Sequence, residues 1–293
     1  MHLAIKHVTE YHYSEAAWDS FNELHLRPAD DYRQTLLAFD LRVSPHSDVR
    51  NQRDYHGNVI QHFHLSNRHT ALRVEARSRV VTYPIPMPCP VSAEVLPGLR
   101  HRFFSYLAPS ERVPLDRDWF TIFGALRLSS QGELVAFLLE LTLYLKQRFH
   151  YDANSTNVNT PLAEFANHGH GVCQDFAHAM LALCRMADIP ARYISGYIHS
   201  NPYGQETMIG AEASHAWVEV FLPGNGWVGF DPTNGCMVNE AHVKVADGRD
   251  YSDIAPIKGL HRGGGSSKLY VEVAVRSSNE TRYVNNDSND NNA

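Results

Sequence analysis

The stretch His170-Gly171-Val172-Cys173-Gln174-Asp175-Phe176-Ala177-His178 sets glycines and a turn directly ahead of an apolar periodicity. Phe176, Met180, Leu181 and Leu183 recur at helical spacing, which predicts a helix over about 172–187 with Cys173 in its first turn. Asp188-Ile189-Pro190 should stop it, because proline removes a backbone donor and restricts the residue before it. A sulfur at a helix start meets unpaired N–H groups and the positive end of the helix dipole, both of which favour thiolate. Asp175, two residues on, reads as a cap or dipole partner.

A reactive thiol also needs a base and a group that orients the base. Downstream, strand-like alternation is expected over 191–198, 213–221, 227–230 and 268–275. His215 stands at the head of the second of these runs and Asp231 directly after the third. A hairpin through Leu222-Pro223-Gly224-Asn225 would bring the two together.

Upstream, a helix is predicted over 160–168, with Thr160 as N-cap and Pro161 at the first helical position. Another is predicted over 133–149, where Leu134, Phe137, Leu138, Leu141, Tyr144, Leu145 and Phe149 form one apolar stripe. Residues 1–83 instead alternate in short runs such as Val59-Ile60-Gln61-His62-Phe63-His64-Leu65, separated by turn clusters, as an antiparallel β-sandwich would. Tyr83-Pro84-Ile85-Pro86-Met87-Pro88-Cys89-Pro90 can continue neither strand nor helix and is read as a linker. The expected fold is therefore α+β: a sandwich over 1–83, a core over 84–276 with helices packed on an antiparallel sheet or barrel, and a disordered Asn/Asp/Ser-rich tail over 277–293.

The 293 residues are 43% apolar, enough for a substantial core in two domains. The net charge of -6 is spread along the chain without a basic block, so nucleic acid is not an expected partner. The start lacks the apolar core of a signal peptide, and the most apolar run, 134–145, falls short of the roughly 20 residues that span a bilayer. A cytoplasmic protein without membrane contact is expected. Four cysteines with no C-x-x-C pair suggest reduced thiols, leaving Cys173 free to act as a nucleophile while Cys184 faces the core.

Four separated segments closely resemble the bacterial transglutaminase-like proteins, a family commonly described as cysteine proteases. They are Gly171-Val172-Cys173-Gln174-Asp175-Phe176-Ala177-His178, Pro190-Ala191-Arg192-Tyr193-Ile194-Ser195-Gly196-Tyr197, His215-Ala216-Trp217-Val218-Glu219 and Gly229-Phe230-Asp231-Pro232-Thr233-Asn234. The opening, with Asn22-Glu23-Leu24-His25-Leu26-Arg27-Pro28, resembles the N-terminal domain that accompanies this core, and Ala246-Asp247-Gly248-Arg249-Asp250-Tyr251 resembles its ending. The resemblance implies a papain-like core in which Cys173, His215 and Asp231 form a catalytic triad. It also implies acyl transfer on a peptide or carboxamide bond through a thioester, without cofactor or metal. Animal transglutaminases carry a tryptophan after the nucleophile, where this chain has Gln174, and no calcium loop is legible.

Trp217, Tyr197 and Gln174 are candidates for the substrate cleft, and Asn167 for a side-chain oxyanion donor. Arg249, Asp250 and Tyr251 read first as an ion-paired loop and second as a specificity element. The substrate expected is a peptide, a protein or a small amide. Amine transfer, a non-catalytic partner-binding scaffold, and a metal centre from His168, His170, Cys173 and His178 are the competing readings.

Overall fold

The computed structural model describes residues 1–128, 132–202, 207–211 and 213–277; the tail beyond Ser277, expected to be disordered, lies outside the described residues. The chain is α+β. The N-terminal region contributes β1 (His2–Leu24), β2 (Gln34–Ser44), β3 (Arg50–Arg53), β4 (Val59–Leu65) and β5 (His69–Thr82), hydrogen-bonded in the order β2-β5-β1-β4-β3.

The alternation at the start of the chain belongs to one strand far longer than the short runs expected. β1 pairs with β5 along its first half and with β4 along its second, and its register breaks between His12 and Ala17. Asp19, at a second register shift between Trp18 and Phe21, takes a left-handed φ of 47°, a conformation that Asp tolerates better than most residues. Tyr13, Leu24, Leu26, Phe63, Leu65, Leu72 and Val74 share one buried cluster on this sheet.

Past the proline-rich linker come the short helices α1 (Leu96–Leu99), α2 (Phe104–Leu107) and α3 (Trp119–Phe123), followed by α4 (Leu134–Arg148). The Glu133 carboxylate caps α4 by accepting the N–H groups of Val135 and Ala136. The predicted stripe Leu134, Phe137, Leu138, Leu141 and Leu145 is buried. α5 (Leu162–His168) starts one residue later than expected: Pro161 is the N-cap, while the Thr160 hydroxyl turns back to accept the Asn157 N–H at 3.0 Å.

α6 (Cys173–Met186) packs on a five-stranded antiparallel sheet. Its strands are β8 (Ala191–Ile198), β9 (His215–Leu222), β10 (Gly226–Asp231), β11 (Cys236–Met237) and β12 (His242–Gly248), in the order β11-β10-β9-β8-β12. Phe176, Met180, Leu181 and Leu183 are at most 1% exposed, each burial being worth about 1.5–3 kcal/mol. The helix stops where the sequence indicated. Asp188 adopts φ 58°, and the N–H groups of Ile189 and Asp188 return to the carbonyls of Cys184 and Arg185 in a Schellman arrangement.

The last two strands sit elsewhere than expected. β13 (Ile257–Gly263) and β14 (Ser267–Ser277) pair antiparallel with β1 rather than with the core sheet, so they extend the sheet of the N-terminal strands. Residues 257–277 thus belong by hydrogen bonding with the N-terminal strands, although sequence placed them with the core.

The two sheets meet along β12. The Gln34 amide bonds both backbone groups of Lys244, and the Asn58 amide bonds both backbone groups of Asp247, each at 2.7–2.9 Å. Two side chains thereby satisfy an edge strand that would otherwise offer open hydrogen bonds. Beside them Glu219 is ringed by Arg33, Arg192 and Lys244, with Asp247 accepting from Arg192 and Lys244. Burial and the Arg192 charge push the Lys244 ammonium down to about 8 despite these partners. No helix among the described residues is long and apolar enough to cross a membrane.

Candidate active site

Cys173 is the first residue of α6, and its Sγ lies 3.9 Å from the Ser214 carbonyl oxygen. The approach to the helix is held rigidly. The two-residue strands β6 (His150–Tyr151) and β7 (His170–Gly171) pair in parallel, and Asp152 N–H donates to the Gly171 carbonyl at 2.9 Å. The Asp175 carboxylate accepts the Val172 N–H at 2.8 Å and the Thr156 hydroxyl at 2.6 Å, so it caps the helix. Burial pushes this carboxyl up, and those two hydrogen bonds oppose the rise. Gly171 admits no side chain, since a Cβ would lie 2.6 Å from both Asp175 Oδ2 and the Phe165 ring.

The hairpin of β9 and β10 forms through residues 223–225. It sets His215 at one strand start and Asp231 at the other strand's end, with His215 Nε2 donating to Asp231 Oδ2 at 2.8 Å. Both side chains are fully buried. Asp231 Oδ2 also accepts from Asn234 Nδ2 at 2.7 Å and His242 Nε2 at 3.2 Å, while Oδ1 accepts the N–H groups of Thr233 and Asn234. Burial would raise the Asp231 carboxyl, but the His215 charge and these donors hold it well below the usual range.

The two imidazoles on this carboxylate differ. Burial alone would lower both. At His215 the charge and hydrogen bond of Asp231, together with the Cys173 thiol, more than reverse it and lift the ring to about 10. His242 remains lowered, because burial and the His215 charge outweigh Asp231. His242 sets Nε2 on the Asp231 carboxylate at 3.2 Å, and its Nδ1 lies 3.1 Å from Asn239 Oδ1 and 3.3 Å from the Asn239 nitrogen.

His215 Nε2 is committed to Asp231, and Cys173 Sγ lies against the carbonyl of the residue before His215, Ser214. Nδ1 has no hydrogen-bond partner among the described residues. Gly210, at φ 87°, lies over it so closely that a Cβ would come within 2.8 Å. The loop bearing Gly210 is fastened through Ile209 N–H to Asn234 Oδ1 at 2.8 Å, so Asn234 braces carboxylate and loop together.

Other sequence candidates fall in different places. Trp217 shares the His215 face of β9 but is 1% exposed, packed with Ile194 and Val238 and edge-on to His242 at 5.3 Å. It backs the imidazoles instead of lining a cleft, because Ile85 of the linker covers that face. Tyr197 is also sealed, its hydroxyl bonded to His7 Nδ1 of β1 at 2.9 Å. Asn167 is exposed on α5. Gln174 is half-buried beside Cys173 in the first turn of α6.

His168 faces Glu164 at 3.8 Å and His178 accepts from Tyr251 N–H, so the cluster of His168, His170, Cys173 and His178 does not gather. Among the described residues the ligand-type atoms that do gather, within 4.8 Å of one another, are those of His215, Asp231 and His242. Their contacts are the hydrogen bonds just described. Burial pushes the thiols of Cys184 and Cys236 up to about 12, which leaves both inert at neutral pH. Cys173 itself is 7% exposed, and a groove of about 800 Å³ beside Phe21, His64 and Leu260 shares no residue with the site.

His242 and Asn234 carried no assigned role in the sequence reading. Asn234 stood within the Asp231-Pro232-Thr233-Asn234 segment, but nothing local marked its side chain as a brace. His242 lies eleven residues from Asp231 in sequence, on a strand buried along its whole length that shows no alternation.

Comparison with known proteins fits this architecture. Residues 127–232 match the transglutaminase-like superfamily, and residues 3–81 match the bacterial transglutaminase-like N-terminal region. An uncharacterized protein of Mycobacterium tuberculosis is 32% identical over 290 residues, covering 92% of this chain and 91% of that protein. A crystal structure from Cytophaga hutchinsonii, described as a putative cysteine protease, superposes with a TM-score of 0.73 at 21% identity, covering 95% and 91% of the two chains. A protein-glutamine gamma-glutamyltransferase of Pseudomonas aeruginosa is 42% identical over 65 residues, 22% of this chain and 10% of that protein. The chain belongs to the transglutaminase-like superfamily, carrying its bacterial N-terminal region ahead of the core.

Proposed function

We propose that the protein is a cysteine-nucleophile enzyme that cleaves a peptide or carboxamide bond through a thioester on Cys173. The observation that carries this reading is the buried 2.8 Å bond from His215 Nε2 to Asp231, which leaves Nδ1 of a protonated ring to serve Cys173. The thiolate attacks the carbonyl carbon, forming a C–S bond and a tetrahedral oxyanion. The Cys173 backbone N–H, at a helix start, is a natural donor to that oxygen. His215 then gives its Nδ1 proton to the amine as the C–N bond breaks, and the thioester remains. Neutral His215 next takes a proton from water as its oxygen attacks the thioester carbon, and the C–S bond breaks to release the acid and return the Cys173 thiolate beside protonated His215. Asp231 holds the ring in the tautomer this sequence needs.

Transfer to an amine in place of water is a second reading, supported by the local likeness to the Pseudomonas aeruginosa transferase. Both share the first half-reaction. Incubating the full chain with a peptide library and a labelled primary amine separates them. Acyl-Cys173 detected by mass spectrometry, with free acid as the main product, is the expected result. Predominant amine incorporation would favour transfer, and a Cys173→Ala protein matching the wild type in every product would remove the enzymatic reading.

A further inference from the structure

β14 is an outermost strand of the N-terminal sheet: β1 pairs along one side of it, and no strand among the described residues pairs along the other. The Ser14 N–H donates to the Ser266 carbonyl at 2.8 Å, and the two strands keep that register as far as Leu3 and Ser277. Backbone groups along an antiparallel strand alternate sides, so those of Leu269, Val271 and Val273 point to the open edge. Side chains on a strand with one covered face should alternate in exposure. Residues 267–272 are instead all exposed, with Leu269, Tyr270 and Val271 at 54%, 56% and 47%. Val273 is buried, and Gly263, Gly264 and Gly265, all at positive φ, interrupt the strand at its other end. The open ladder therefore runs over 267–273.

Exposed edges ordinarily carry charges that repel another strand. The charges on β14 do the opposite in one register. In an antiparallel pairing about a two-fold axis at Tyr270, Lys268 stands opposite Glu272 of the partner subunit and Glu272 opposite the partner's Lys268. Both ion pairs fall at positions without ladder hydrogen bonds, where facing side chains come closest. Leu269 and the partner's Val271 then share ladder bonds, and the two Tyr270 rings adjoin at the axis. An axis at Glu272 would set that carboxylate against itself and Lys268 against Arg276, whereas one at Val271 would face Glu272 with Tyr270 and Lys268 with Ala274. Two contacts within the chain hold these side chains on the strand's outer face: Lys6 meets Glu272 at 3.2 Å, and the His12 ring stands edge-on to Tyr270 at 5.6 Å.

We infer that this edge takes a second copy of the chain, two β14 strands pairing antiparallel about Tyr270. The order β2-β5-β1-β14 then continues into the partner subunit and runs back through the same strands in reverse, joining two sheets into one. The apolar surface added is confined to Leu269, Tyr270 and Val271 of each copy, so the dimer is a weak one that forms at micromolar concentrations. No residue of this edge belongs to the Cys173 cluster, and the inference stands independently of the proposed reaction.

Sedimentation velocity of the full chain from about 1 to 500 µM should show a reversible equilibrium between monomer and dimer. Lys268→Glu and Glu272→Lys each turn both cross-strand pairs into like charges, and each should weaken self-association at least about 10-fold. Mixed one to one, the two variants should form a heterodimer within about 3-fold of the wild-type affinity, because every charge again meets its opposite. A chain carrying both substitutions should dimerise alone. Urea midpoints matching the wild type show that each variant is folded. A wild-type chain that stays monomeric throughout the range overturns the inference. So does a dimer that both single variants retain, or a loss of pairing that mixing does not restore.

Discussion

Replacing Asp231 with asparagine keeps the shape of the side chain and removes its charge. Oδ1 can still accept the Thr233 and Asn234 N–H groups, but the new amide NH2 would face three donors: His215 Nε2, His242 Nε2 and Asn234 Nδ2. His215 relieves its clash by moving its proton to Nδ1. That tautomer carries a donor at Nδ1 and cannot accept the thiol proton. Without the carboxylate, burial dominates, so the ring falls from about 10 to below its ordinary 6.5.

A rise from 6.5 to about 10 corresponds to roughly 5 kcal/mol, at about 1.4 kcal/mol per pH unit, in line with the 3–5 kcal/mol lost when a buried pair is broken. The folded-state value exceeds the unfolded one, so this stabilisation is complete below pH 6.5 and disappears as pH rises through about 10. Urea unfolding of both proteins from pH 6 to 10.5 should therefore show Asp231→Asn weaker by about 3–5 kcal/mol at pH 6, with the gap closing toward pH 10. Acylation of Cys173 by p-nitrophenyl acetate at pH 7 should fall about 10³- to 10⁴-fold. A variant that keeps a tenth of the wild-type rate, or a stability gap constant across this range, would refute the assignment of Asp231 as the partner that charges His215.

Gly210→Ala should lower Cys173 acylation at least about 10-fold through crowding at Nδ1 and strain at a left-handed φ, with a loss of about 1–2 kcal/mol in unfolding free energy; an unchanged rate would show that the loop yields easily. His242→Phe removes one donor from a buried carboxylate. A loss of about 1.5–3 kcal/mol in urea unfolding is expected, with partial recovery in His242→Gln, and equal stability of the two variants would deny the hydrogen bond its importance.

The segments around Cys173, His215 and Asp231 were legible because each depends on short-range pattern: a glycine turn before a helix, an alternating strand, and a tight hairpin loop over 223–225. What covers each face was not. Alternation put Trp217 on the His215 side of β9, yet only the folded chain shows Ile85 closing that side; likewise the His7 contact from β1 turned Tyr197 inward. β12 escaped notice because the N-terminal region and the core bury both its faces, which erases the period of two. Pairing of Leu3 with Ser277 lies beyond any local signal, since strand register between distant segments is set by packing.

Because β14 and β13 lie along one side of β1, the sheet that contains β1 stays incomplete until residues 257–277 have been synthesised. A chain cut near residue 256 would retain every residue of the Cys173, His215 and Asp231 cluster. It would also expose one whole side of a 23-residue strand, an invitation to intermolecular pairing. Protection of the β1 edge is thus vested in strands more than 230 residues further along the chain.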